Sequence, residues 1–366
     1  MQTSWLELLK RYPEPGQLFV STALISLFLT AGAYFFARSL QLMPQIRGRD
    51  VHTVRKPRVG GVAMWLAVAV GFGLILADPG RSYLLRFGGG QVWGIDKALW
   101  GILIGMCVLL VAGLIDDLRG LSWKGQLGAQ FLAATALVVA GVGVPFINLP
   151  FGAHLQLPSI FSGLFTVVWT MTAINVVNWL DGLDGLAGSV GVTASIVLVM
   201  VGLRTSSVTL APVTLALLLG GAALGYLPWN WYPSKLFMGT VGSQLLGFLL
   251  AVIAIVSGGK LATAVLVLGV PVLDAVIVIY RRVRAGVSPF VADQRHLHHR
   301  LLKLGIPTPW VVILINVVSL AFGVMAVRTA NSTLKGLLTL ILVGCMGLFV
   351  GLTYVLEKKA DIKPKS

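Results

Sequence analysis

Long apolar blocks alternate with short polar connections from one end of the chain to the other. A helix that crosses the hydrocarbon of a bilayer needs about 20 mostly apolar residues. Eleven blocks approach that length, near 18–38, 59–77, 98–115, 126–143, 160–178, 186–203, 209–226, 242–258, 262–280, 309–327 and 334–356. The fifth and sixth are parted only by a polar, glycine-punctuated break. The pattern predicts an all-α, polytopic integral membrane protein, a single helical bundle over residues 1–366 of about 11 transmembrane helices.

Composition strengthens this reading. Of the 366 residues, 57% are hydrophobic and 11% charged, against about 25% charged in soluble domains. The formal net charge of +15 would suggest nucleic acid in a soluble protein. In a bilayer it instead reflects basic cytoplasmic loops beside anionic headgroups, so no nucleic-acid partner is expected. Cys107 and Cys345 both lie inside apolar blocks, which excludes a disulfide framework or a metal knuckle. Glu7, Glu14 and two early prolines precede the first block. They do not form a cleavable signal pattern, and the first span is expected to be retained.

The basic residues also orient the bundle. Of 28 Lys and Arg, nine fall on the side of the N-terminus and nineteen on the other. The positive-inside rule then places the N-terminus outside and the C-terminus in the cytoplasm. On that inner side lie eight of the 13 acidic residues and four of the five histidines; Asp274 sits within the ninth block, towards its inner end. Polar clusters from four separate connections thus meet at one membrane face.

The first cluster is Gly113-Leu-Ile-Asp-Asp-Leu-Arg-Gly120. Asp116 and Asp117 end an apolar span, where carboxylates need a reason. They could pair with Arg119, or serve as ligands of a divalent cation or as a proton acceptor. The second runs from Asn175 to Ala187, with Asn175, Asn178, Asp181 and Asp184 at strict triplet spacing. An α-helix turns such a row by about 60° per step, so the four share a face only if the turn tightens. Gly182, Gly185 and Gly188 would permit that, and would let a ligand approach the backbone. The third, Phe237-Met-Gly-Thr-Val-Gly-Ser243, opens the eighth block. It reads either as amides offered to phosphate or as an ordinary glycine-rich helix start. The fourth, Ser288 to Arg300, carries Arg295, His296, His298, His299 and Arg300 around Asp293. These groups suit anionic oxygens. Zinc is the competitor, but no cysteine or further ligand in tetrahedral spacing accompanies them. Metal ligands, phosphate-binding cations and apolar walls at lipid depth together suit a substrate that is half lipid and half phosphate, joined by a soluble anionic nucleotide.

With these residues laid out, the chain resembles the polyprenyl-phosphate N-acetylhexosamine-1-phosphate transferases, the family of WecA, TagO and MraY. The carriers are HTVRKPRVGG (52–61), LIDD (114–117), NVVNWLDGLDGLAG (175–188), FMGTVGSQLLGF (237–248) and ADQRHLHHRLL (292–302), in the family's order within a core of about 44–301. The last resembles the WecA/TagO branch more than MraY. The resemblance implies transfer of N-acetylglucosamine-1-phosphate from UDP-N-acetylglucosamine to undecaprenyl phosphate, with magnesium (or manganese), UMP leaving. It implies this as the first membrane step of a cell-envelope glycan, at the cytoplasmic face of a bacterial inner membrane. It allows a homodimer. By motif position Asp116 and Asp117 match the essential acidic pair, and Asp181, His296 and His298 join the catalytic groups. Asn178 matches a magnesium-holding amide. Asp184, Asn230, Phe237, Arg295, His299, Arg300 and Lys124 fall in the substrate-binding set, Phe237 stacking on uracil. One position departs: where the family has Gly-Asp-x-Gly-Ser, this chain has Gly239-Thr240-Val241-Gly242-Ser243. Thr240 would be a weak, neutral metal ligand. The departure implies either a weakened or inactive paralogue, or a metal held by Asp116 and Asp117.

Overall fold

The computed structural model describes residues 13–41, 56–148, 154–204, 210–258, 261–284, 286, 296–329 and 332–362. The described helices are α1 (Pro13–Ser39), α2 (Gly60–Ala77), α3 (Lys97–Arg119), α4 (Trp123–Val139), α5 (Ser159–Leu180), α6 (Leu186–Arg204) and α7 (Ala211–Asn230). They continue as α8 (Gly239–Val256), α9 (Leu261–Val267), α10 (Gly269–Arg284), α11 (Leu297–Lys303), α12 (Thr308–Arg328) and α13 (Ser332–Ile362).

Each of the eleven predicted blocks is helical over most of its length, but fewer of them meet a full span's requirements. Among the described residues eight helices (α1, α2, α3, α5, α6, α7, α8 and α12) are long and apolar enough to cross a membrane. Helix α4, with 17 residues, is not among these eight. The ninth block is not one helix. It breaks at Leu268, and α9 and α10 meet at 80°; counted as one span, the pair would be a ninth. Pro271 in the first turn of α10 has no N–H to continue the ladder and its ring crowds the preceding turn.

Two short hairpins also interrupt the all-helical expectation. β1 (Gln91–Val92) pairs antiparallel with β2 (Ile95–Asp96), and β3 (Phe146–Asn148) with β4 (His154–Gln156). Trp93 and Gly94 turn the first hairpin with φ of 52° and 77°, the paired positive values of a tight hairpin turn. Asp96 has a local task there: one oxygen accepts from the amides of Phe87 and Gly88, the other caps α3 at Ala98.

Lipid offers no hydrophobic drive between helices, so close backbone approach through small residues holds a membrane bundle together. On α7, Gly221 and Gly225 meet the backbone of α1 at Phe19 and Ala23, and the Ser26 hydroxyl donates to the Ala222 carbonyl at 2.6 Å. Helix α8 is the hub, buried at every position from Thr240 to Ile255. Gly113 of α3 faces Val241, Gly61 of α2 faces Gly242, Gly191 of α6 faces Leu246, and Gly247 faces Ile174 of α5. Asn316 ties α12 to α6 by accepting from Thr193 at 2.7 Å and donating to Ser189 at 2.8 Å. Large apolar side chains such as Phe28, Leu118, Phe131, Val139 and Ile160 face outward, as expected where the surroundings are lipid.

A Cβ on Gly61 would run into the backbone of Gly242 and the Met238 carbonyl, whereas Gly73 on the same helix faces open space. Gly61→Ala is expected to cost about 1–3 kcal/mol through overpacking, read as a lower melting temperature in detergent. Gly73→Ala should leave it unchanged or slightly higher. Equal melting of the Gly61 variant and the parent protein would refute the close crossing of α2 and α8.

Candidate active site

The N-terminus of α8 is buried, and a buried helix start carries amides with no partner inside the helix. Met238, which precedes it, supplies no capping side chain. The last turn of α3 does so instead. Asp117 Oδ1 accepts from the Thr240 amide at 3.0 Å and Oδ2 lies 3.4 Å from the Val241 amide. Asp116 Oδ2 accepts from the Thr240 hydroxyl at 2.5 Å, while its Oδ1 takes the Leu121 amide at 2.8 Å and the Gln126 amide group at 3.0 Å. Gly239, with φ of 72°, must be glycine, because a Cβ there would lie 2.5 Å from Asp117 Oδ2. The first and third motifs therefore form one structure.

The second motif joins at the next turn. The Ser243 hydroxyl of α8 donates to Asn178 Oδ1 at 2.9 Å. Asn175 belongs elsewhere: it exchanges hydrogen bonds with Gln130 of α4, at 2.7 and 3.3 Å, inside the bundle. The triplet row thus diverges, as an α-helical rotation requires. Helix α5 ends at Leu180, and Asp181 opens the turn that leads into α6. Its carboxylate makes no hydrogen bond among the described residues. Burial, first, and then the like charges of Asp117 and Asp184 push it up to about 7, against the opposing pull of Arg58.

Asp184 is buried and fully engaged. It accepts from the Ser234 hydroxyl at 2.7 Å and the Ser234 amide at 2.9 Å, with Lys56 Nζ 3.7 Å away. Lys56 also donates to Ser234 at 2.9 Å and lies over the Phe237 ring, 5.1 Å from its centroid. Phe237 is pinned by its main chain, its amide bonding the Pro57 carbonyl at 2.8 Å and its carbonyl accepting from Gly60 at 3.1 Å. Asn230 accepts from the Gly185 amide at 2.9 Å and donates to the Leu236 carbonyl at 3.1 Å. Both ends of that amide are spent on holding two loops together.

The histidine motif meets this assembly at Gly182, where a Cβ would lie 2.7 Å from His298 Nε2. His298 is buried, and that nitrogen has no hydrogen-bond partner among the described residues. Burial, then His299 and His296, hold its basicity well below the usual histidine range. The His296 and His298 rings are parallel within 3°, 5.6 Å apart, and His299 tilts against His298 at 4.2 Å. Arg300 is buried beside them. Lys124 is exposed, its ammonium 5.6 Å from the Trp123 ring centroid. Arg295, His52 and Arg55 lie outside the described residues. Reading from residue types alone missed Ser234 and the specific part of Lys56; only the position of Lys56 within HTVRKPRVGG signalled it.

The family model described as glycosyl transferase family 4 matches residues 99–258, which includes the acidic pair, the Asn178–Asp184 turn and the α8 start. Among curated relatives, the decaprenyl-phosphate N-acetylglucosaminephosphotransferase of Mycobacterium tuberculosis is 32% identical over 338 residues, covering 86% of this chain and 81% of that protein. The chain belongs to the polyprenyl-phosphate N-acetylglucosamine phosphotransferase family. Other phosphotransferases of this family are similar along most of their length. The undecaprenyl-phosphate alpha-N-acetylglucosaminyl 1-phosphate transferases of Thermotoga maritima and Escherichia coli K12 are 30% and 28% identical, over 76% and 84% of this chain. It is accordingly a multi-pass membrane protein of a transferase family.

The donor chemistry of this candidate site fits a hard divalent cation. Asp116, Asp117, Asn178, Asp181 and Thr240 present only oxygens, and magnesium needs one or two carboxylates beside substrate phosphates. Among the described residues no three His, Cys, Asp or Glu side chains cluster as a ready-made cage, so any such ion would share its coordination with substrate. Burial, and then the like charge of Asp117, raise the proton affinity of Asp181 against the pull of Arg58, and that like-charge repulsion is what a cation would relieve.

Because Asp181 binds its proton more tightly when folded, it adds stability at low pH that is lost as pH rises through about 7. In chelator-treated protein the melting temperature should decline between about pH 4 and 8, and Asp181→Asn should flatten that decline. Parallel curves for the two proteins would contradict the burial of this charge.

Proposed function

We propose that the chain transfers N-acetylglucosamine-1-phosphate from UDP-N-acetylglucosamine to a polyprenyl phosphate of the undecaprenyl class, releasing UMP. The supporting observation is the meeting of the Asp116–Asp117 pair, the Asp181–Asp184 turn and His298 around the buried start of α8. Oxygen donors, a cation-bearing loop and an imidazole in one place are what phosphoryl transfer between two anions requires, since the work is positioning and charge neutralisation. The names of the relatives support the donor group and the lipid class.

In this reading the lipid phosphate approaches from the apolar flank of the bundle and attacks the phosphorus bonded to the sugar. The P–O bond to UMP breaks, and no covalent enzyme intermediate is needed. A magnesium or manganese ion, when bound, neutralises the diphosphate and stabilises the departing UMP. Asp117 and Asp181, with Asn178, are the residues that would hold it. Asp117 or Asp181 accepts any proton carried by the lipid phosphate. Lys56 and Phe237 flank the nucleotide side, the ring stacking on the base. The histidine loop, Arg300 and Arg295 hold the pyrophosphate and sugar, and Lys124 draws anions to the mouth. The site faces the cytoplasm, where the excess of basic residues lies, and the N-terminus is outside.

Thr240 has a defined task in this site. Its hydroxyl donates to Asp116, where an aspartate could only repel it. That supports an active enzyme whose metal relies on Asp117 and Asp181 over a paralogue that has lost its chemistry. Purified full-length protein should exchange labelled UMP into UDP-N-acetylglucosamine in the presence of undecaprenyl phosphate, and no exchange would overturn the reading. Thr240→Asp should raise transfer more than about tenfold, because magnesium prefers charged oxygen. In chelator the same variant should melt below the wild type, from repulsion with Asp116, and magnesium should restore it. Equal activity of the two forms would show that this position does not serve the metal.

A further inference from the structure

We propose that Asp274 is a positioning residue for the transfer reaction. From the bent pair α9–α10 it fixes the first turn of α11 and the His296 ring, and through that ring sets His298 against the Asp181–Asp184 turn. The proposal rests on the reading above that the histidine loop handles the substrate phosphates.

Asp274 is buried in a run of apolar residues from Val270 to Ile279. A carboxylate there needs partners. Both of its oxygens have them, and both partners come from the same loop more than twenty residues away. Oδ2 lies 2.9 Å from His296 Nδ1, and Oδ1 accepts from the Leu297 amide at 2.8 Å. Leu297 opens α11 and His296 is its N-cap residue, yet the His296 side chain caps nothing. Asp274 therefore supplies the acceptor that this helix start lacks.

The same contact fixes the chemistry of the imidazole. A carboxylate can only accept, so the His296 Nδ1 that faces it carries a proton. The His296 ring lies parallel to His298 at 5.6 Å. His298 in turn presses on Gly182, and its buried Nε2 has no hydrogen-bond partner among the described residues. A buried polar atom left open beside the acidic turn marks a place for a ligand oxygen. The line Asp274, His296, His298, Gly182 thus runs from the bent span into the centre of the site.

A helix cap alone and a ring-orienting role predict different results for Asp274→Asn. The asparagine carbonyl oxygen can still accept from the Leu297 amide, so the cap survives. Its amide group is a donor, however, and can face Nδ1 only if the ring proton moves to Nε2. The full-length protein in detergent would be assayed with UDP-N-acetylglucosamine and undecaprenyl phosphate and magnesium. We expect kcat to fall at least tenfold in Asp274→Asn, with KM for the nucleotide sugar within about threefold and an unchanged melting temperature. Asp274→Glu should recover part of kcat by restoring an acceptor, and Asp274→Ala should lose both kcat and thermal stability. Nitrogen NMR of 15N-histidine-labelled protein, with five histidines in all, should show one ring changing its protonated nitrogen in Asp274→Asn. A wild type that transfers, with Asp274→Asn matching its kcat, overturns this proposal alone. A wild type that transfers nothing overturns the functional reading and the proposal with it.

Discussion

A helix that starts in the interior of a membrane bundle exposes amides that lipid cannot satisfy. In this chain α8 begins that way, surrounded by α2, α3, α5, α6 and α7, and its amides are met by Asp117 while its first hydroxyl is met by Asp116. The positive end of the α8 dipole and two carboxylates stabilise one another. This contact sets the position of the acidic pair and the depth of α8. Because Gly61, Gly113, Gly191 and Gly247 each bring a neighbouring helix against α8, it also fixes where those helices end. The candidate site is a by-product of solving a backbone problem.

Around that fixed point the loops are tied down by groups that read, one at a time, as substrate ligands. Asp184 is held by Ser234 and Lys56, and Asn230 spans Gly185 and Leu236. Their energy goes into order: hydrogen bonds to a charged acceptor contribute about 1.5–3 kcal/mol each, enough to keep the turn with Gly182 and Gly185 in one shape. The result is preorganisation, where the groups facing a ligand do not need to be assembled when it binds. Phe237 owes its place to the Pro57 carbonyl and the Gly60 amide, so the segment around residue 57 and the segment around 237 form one wall.

How much of this was legible in the sequence differs by kind of feature. Apolar block length located every long helix, because the bilayer constraint acts on each segment by itself. It could not foresee the α9–α10 bend, where Pro271 decides and block length does not. The hairpins were signalled only by Gly-rich stretches such as Gly88-Gly-Gly90, which a hydropathy reading passes over. Motif spacing found Asp116, Asp117, Asn178, Asp181 and the histidines, since each motif is local. It could not separate Asn175 from Asn178, because that depends on which neighbouring helix each side meets: Gln130 in one case, Ser243 in the other. Nor could it give Asp274 a task, since its partners, His296 and Leu297, lie across a long connection.

The commitments of the acidic groups explain why a threonine can stand at position 240. A carboxylate whose oxygens accept three or more hydrogen bonds has little left for a cation, and Asp116 is in that state, with Leu121, Gln126 and Thr240 all donating to it. Asp117 is less committed, its Oδ2 having only a long contact to Val241. Asp181 has no hydrogen bond among the described residues and sits where burial, and then like charges, raise its proton affinity. The pair in the sequence is thus not a pair in function: one member secures the helix and the other faces the turn. An aspartate at 240 would add a ligand charge but remove the donor that steadies Asp116. A threonine keeps the steadying bond and leaves the charge to Asp117 and Asp181. The substitution therefore shifts where the negative charge resides in the site without dismantling the contact on which α8 depends.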